Sequence, residues 1–110
     1  MADLRGPTAD TQAGDIVTIA VNPDGPYGVV FSPDNDGQAA VVRGFEKLPN
    51  GKFGVVQRNG GVHVGDVLFE VNDTSLMNRT FEESVKIISD RNILKKEFKF
   101  INSRDYYRRK

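Results

Sequence analysis

Residues 60–72, GGVHVGDVLFEVN, decide how this chain is read. Gly60-Gly61 can stop a helix, because glycine enters the left-handed backbone that closes a helical end without a Cβ penalty. Gly65-Asp66 is a turn pair. Residues 67–71 (VLFEV) are aliphatic, aromatic and β-branched, which predicts a strand, and Asn72-Asp73 supplies the chemistry of a tight turn. One stretch thus carries a helix stop, a turn, a strand and a second turn.

Working outward, Thr80 begins T-x-x-E with Glu83, a capping box that satisfies orphan backbone donors at a helix start. Phe81, Val85 and Ile88 then recur at i, i+4 and i+7, and Ser84 and Ile87 widen the apolar side toward the core. Upstream, residues 54–59 can hold one short helical turn. Residues 15–21 (DIVTIAV), 27–32 (YGVVFS) and 39–45 (AAVVRGF) read as strands. Clusters of turn residues at 22–26 (NPDGP), 33–37 (PDNDG) and 48–51 (LPNG) separate them. Residues 74–76 pair briefly, and 97–101 (EFKFI) alternate as a closing strand with Phe98 and Phe100 on one face. The faces so defined are buried by a small five- to six-stranded β-sandwich or partly open barrel, capped by one short and one long α-helix. Pro33 and the flanking turns place the second strand at a sheet edge.

The chain has 110 residues, enough for one modest core without disulfide or metal staples. Residues 15–102 are expected to be that domain, and residues 1–14, polar and rich in Ala, Thr, Gly and Asp, a disordered leader or expression remnant. The formal net charge is zero, which argues against a nucleic-acid partner. The charge is uneven, however. Lys99, Arg104, Arg108, Arg109 and Lys110 stand against Asp105 alone at the C-terminal end, so residues 103–110 read as a basic tail or linker. Such a tail offers weak contact with anionic lipid at the inner face of a membrane. There is no cysteine, in keeping with a cytoplasmic setting, and no apolar run long enough to cross a bilayer.

Residues 60–72 resemble the G-h-x-x-G-D-x-I-h-x-V-N segment of the PDZ family, and residues 80–88, TFEESVKII, resemble its T-x-E-E-A-V-x-L-L helix. Residues 27–31, YGVVF, stand where that family carries G-L-G-F, with Tyr for Leu and Val for Phe. The resemblance spans residues 15–102 and implies a PDZ-like fold, mainly β with two helices. It also implies a monomeric interaction module that takes the free C-terminal tails of partner proteins, expected to be membrane-associated or signalling proteins, onto a scaffold. The backbone amides of Tyr27, Gly28 and Val29 would hold the ligand carboxylate, since successive N–H groups in one concavity attract an anion. The peptide would add as a strand to an edge formed by Val29, Val30, Phe31 and Ser32. Tyr27, Val29, Phe31, Val85 and Ile88 would line the pocket for its last side chain, with Phe81 at the groove mouth favouring an apolar-x-apolar ending. Many family members carry Lys or Arg just before the loop. Residues 22–26 carry none, and Asp24 has the wrong sign, which leaves Arg79 or Arg43 to compensate.

No catalytic residue, metal site or cofactor is expected. His63 is the one histidine and lies in a turn; no G-x-S-x-G context accompanies it. Residues 34–37 (DNDG) lack the distal glutamate of a calcium loop, because Phe45 occupies that position. Two alternatives remain open: a regulatory PDZ domain cut from a larger enzyme, and a lipid-contacting adaptor acting through the basic tail. A strand before the loop and another after the long helix favour the scaffold type over the permuted protease type.

Overall fold

A computed structural model describes residues 16–90 and 92–109, so the expected leader at residues 1–14 lies outside the described residues. The elements are β1 (Val17–Val21), β2 (Val29–Ser32), β3 (Val41–Phe45), α1 (Val55–Asn59), β4 (Val67–Val71), β5 (Thr74–Ser75), α2 (Phe81–Ile88), β6 (Lys96–Ile101) and α3 (Ser103–Arg109). Among the described residues six strands form one antiparallel sheet in the order β1-β6-β4-β3-β2, with β5 paired to β4. β2 is therefore an edge strand, as Pro33 and its turns led us to expect. β1 forms the opposite edge.

Local chemistry accounts for the element ends. Gly60 closes α1 in the left-handed region at φ 80°. The capping box is complete: the Glu83 amide donates to Thr80 Oγ1 at 3.1 Å, and the Thr80 amide donates to Glu83 Oε1 at 2.8 Å. β3 starts two residues later than residues 39–45 predicted, because Ala39 itself is left-handed at φ 67° and cannot continue a pleated strand. β2 likewise starts at Val29, after Gly28 has turned the chain at φ 74°.

The main core gathers Ile19, Val42, Val56, Leu68, Ile88, Phe98 and Phe100. A second cluster lies on the other face of the sheet: Ala39, Val67, Phe69, Ile101 and Tyr106. β4 feeds both. Its register slips between Leu68 and Glu70, which places Phe69 in a bulge, and Val67 and Phe69 then face away from Leu68 and Val71.

What covers that second face is the segment read as a basic tail or linker. Residues 103–109 form α3, started by the Asn102 side chain, whose Oδ1 accepts from the Asp105 amide at 2.9 Å. Tyr106 is 1 % exposed against Val67, Phe69 and Ile101. Arg108 pairs with Asp105 at 3.6 Å, and the Arg109 guanidinium lies 5.9 Å from the Phe69 ring centre. The fold therefore carries three helices among the described residues, where two were expected.

Candidate functional site

β2 bonds to β3 on one side, and on the other no described strand pairs with it. Val29 and Phe31 turn inward onto the main core, and Phe31 stacks on Phe100 at 6.4 Å and meets Phe98 edge-on at 6.5 Å. Val30 faces out. Ser32 ends the strand half-buried. The register with β3 is irregular between Val30 and Phe31, where Arg43 is left without an opposite residue.

Hydrogen bonds fix how α2 lies against that strand. At its start, the Phe81 amide donates to Gly37 O at 3.0 Å and Thr80 bridges Gln38, just past the end of β2. At its end, Tyr27 Oη donates to Ile88 O at 3.0 Å, just before the start of β2. α2 therefore runs antiparallel to β2 with one tie at each end, and the strip between them is the candidate groove, its floor edge the side of β2 that no described strand pairs. Ser84, fully buried, and Ile87 turn to the core, as their spacing predicted. Phe81 and Val85, four residues apart, form the accessible stripe, with Val85 37 % exposed and Phe81 half-buried. Ile88, expected in the groove wall, is 5 % exposed and belongs to the main core. Its carbonyl is the group that accepts from Tyr27 Oη.

The loop at the closed end of the groove is built by close backbone packing. A Cβ on Gly28 would lie 2.9 Å from Gly54 Cα, and a Cβ on Gly54 would lie 2.6 Å from Tyr27 O. Only two glycines allow this approach, and Gly28 is further held by its carbonyl accepting from the Glu46 amide at 3.0 Å. The amides of Tyr27 and Gly28 donate to no backbone or side-chain acceptor among the described residues. Two consecutive donors with no described acceptor at a positive-φ turn are the kind of arrangement that attracts an anion.

Tyr27 is more than a lining residue. Its ring meets Phe98 edge-on at 4.9 Å, and its hydroxyl also lies 3.2 Å from Pro23 O. Lys96, at the start of β6, reaches the same point: Nζ donates to Tyr27 Oη at 2.7 Å, to Ile88 O at 2.7 Å and to Pro23 O at 2.9 Å. The sequence alone does not single out Lys96, because a lysine at a strand end is ordinarily solvated. The two arginines weighed as compensating cations lie elsewhere in the arrangement. Arg79 Nε donates to Ser75 O at 2.8 Å beside the start of α2, and Arg43 is exposed on β3.

At the groove's other end the loop after β2 is tightly tied. Asp34 Oδ1 accepts from the amides of Asp36 and Gln38, both at 2.9 Å, and Asp34 Oδ2 accepts from Tyr107 Oη at 2.7 Å. That last bond joins α3 to the β2–β3 loop, on which the start of α2 rests. His63 is exposed, and its amide donates to Asp66 Oδ2 at 2.9 Å in a turn away from this groove.

No protein-family model and no curated protein matches this chain. Solved structures do. The PDZ domain from choanoflagellate GIPC superposes with a TM-score of 0.60 at 22% identity, covering 81% of this chain and 91% of that one. The same domain bound to a GAIP peptide gives 0.61, and bound to a B1AR peptide 0.62, at the same identity and coverage. The fourth PDZ domain of MUPP1 gives 0.60 at 21% identity, covering 80% of this chain and 76% of that one. These likenesses, with the edge strand, the flanking helix and the glycine-built loop, show that this chain has the fold of a PDZ domain.

Proposed function

We propose that this domain is a non-catalytic interaction module that binds the free C-terminal tail of a partner protein by strand addition onto β2. The observation that carries the reading is the pair of amides at Tyr27 and Gly28 that meet no acceptor among the described residues, at the end of a groove whose floor edge is a strand edge that no described strand pairs. An extended peptide satisfies that edge, and its terminal carboxylate satisfies those donors. Two of the solved structures with this fold carry a peptide. The dissociation constant expected is roughly micromolar, since a short flexible peptide must be ordered on binding. The test is C-terminal amidation of a ligand selected from a C-terminal peptide library. The amide should lose most of the affinity in a calorimetric titration; equal binding of acid and amide would remove the carboxylate from the interaction.

Phe81 gives this reading a preference. In the first turn of α2 it presents no hydrogen-bonding atom, so a ligand hydroxyl two residues before the C-terminus would be buried unpaired, at about 1–3 kcal/mol. Peptides ending apolar-x-apolar should outcompete those ending Ser/Thr-x-apolar, and Phe81→His should narrow or reverse the order. A wild-type selection dominated by Ser or Thr at that position would take Phe81 out of this role.

A further inference from the structure

Lys96 is 1 % exposed. Lysine is almost never buried so completely unless it is paired with an anion, because stripping water from an ammonium is costly. Here the partners of Nζ are two backbone carbonyls, Pro23 O and Ile88 O, and one phenol, Tyr27 Oη. Each of the three N–H directions of the ammonium meets an acceptor, and none of those acceptors carries formal charge. Nζ also lies 5.2 Å from the centre of the Tyr27 ring. Among the described residues no carboxylate is within ion-pair distance of it.

The place where this charge is held matters. Pro23 lies in the turn before the loop, Tyr27 is in the loop, and Ile88 ends α2. One nitrogen thus pins the three segments that close the groove, and it stands a single tyrosine side chain behind the two unpaired amides. The turn at residues 22–26 supplies no cation of its own. We propose that Lys96 is the cation of the carboxylate site: a buried positive charge with no carboxylate partner among the described residues, whose counter-charge the carboxylate of a bound peptide supplies through the Tyr27–Gly28 loop. Lys96 acts as a positioning residue, since it touches the loop and not the ligand. This inference rests on the proposed reading of the groove as a C-terminal-peptide site.

Its signature is a difference between two ligands that differ only in terminal charge. The probe is the tightest hexapeptide recovered from a free-carboxylate library, made as acid and as amide. Lys96→Gln keeps hydrogen-bond donors at the node and removes the charge. Its affinity for the acid should fall on the order of tenfold or more, while that for the amide changes by less than about twofold. Lys96→Arg should retain most of the preference for the acid. A purely structural lysine would weaken both forms alike, and that result, or an unchanged acid-to-amide ratio, would overturn the assignment. If Lys96→Gln does not fold, the Nζ resonance of Lys96 in the wild-type domain decides. It should shift on adding the acid and stay in place on adding the amide, and a resonance indifferent to both overturns the proposal. A wild-type domain that fails to distinguish acid from amide would instead overturn the carboxylate reading itself, so the two failures are separable.

Discussion

Gly28→Ala is expected to destabilise the domain by about 2–5 kcal/mol and to reduce peptide binding beyond what the lost stability explains. Two costs combine. The backbone at φ 74° is left-handed, which costs a residue with a Cβ roughly 1–2 kcal/mol. The new methyl would also stand 2.9 Å from Gly54 Cα and 3.1 Å from Glu46 O, both backbone atoms that cannot swing aside, and such overpacking costs roughly 1–3 kcal/mol. The strain is relieved only by moving the loop that presents the Tyr27 and Gly28 amides. Gly51→Ala is the internal control, because Gly51 has a similar φ of 81° and open space around it. It should lose the conformational cost alone and leave peptide affinity intact. Urea unfolding of both variants, with a peptide titration below the unfolding transition, measures the difference. Equal losses at the two glycines would mean that the Gly28–Gly54 approach carries no energy.

The second large effect belongs to α3. Tyr106→Ala should cost about 3–5 kcal/mol, the range for deleting a fully buried aromatic ring, because it would open a cavity between Val67, Phe69 and Ile101. For a domain whose whole stability is on the order of 5–15 kcal/mol, that is a large share. Tyr106→Phe should do the opposite. The Tyr106 hydroxyl is buried without a hydrogen-bond partner, so removing it keeps the ring and discards an unsatisfied group. The two variants together separate the ring from its hydroxyl in one thermal-melt experiment. Alkaline pH offers a further check. Burial, and then the negative charge of Asp34, raise the Tyr106 pKa above its ordinary value. In the unfolded chain the phenol ionises near pH 10 while the folded domain still holds the proton, so this stability is present below about pH 10 and is lost as pH rises further. Tyr107, raised by burial and by its bond to Asp34, adds to the same loss. Tyr106→Phe should therefore blunt the alkaline decline without removing it. A domain equally stable with Tyr106→Ala would show α3 to be a dispensable appendage.

The features legible from the residues alone are those whose causes lie within a few positions. Thr80 and Glu83 satisfy each other's backbone across three residues, Gly60 closes α1 by its own φ, and the alternation of residues 97–101 sorts Phe98 and Phe100 to one face. Pro33 limits β2 without reference to anything distant. From these the element order, the edge position of β2 and the stripe of Phe81 and Val85 could be read. Three matters waited for tertiary structure. Ala39 looked like a strand residue, yet it turns left-handed where the chain must pass under the start of α2, with its amide facing Arg79 O. Residues 103–109 looked like a solvated basic tail, because each charge taken singly prefers water. Only Val67 and Phe69, which the pleat of β4 turns to the face opposite Leu68, supply the apolar surface that Tyr106 covers. Lys96 is the furthest case, since Pro23 and Tyr27 lie 73 and 69 positions away. A lysine announces its charge in the sequence, but whether that charge meets water or backbone carbonyls is decided by which distant segments the folded sheet and α2 bring together at the start of β6.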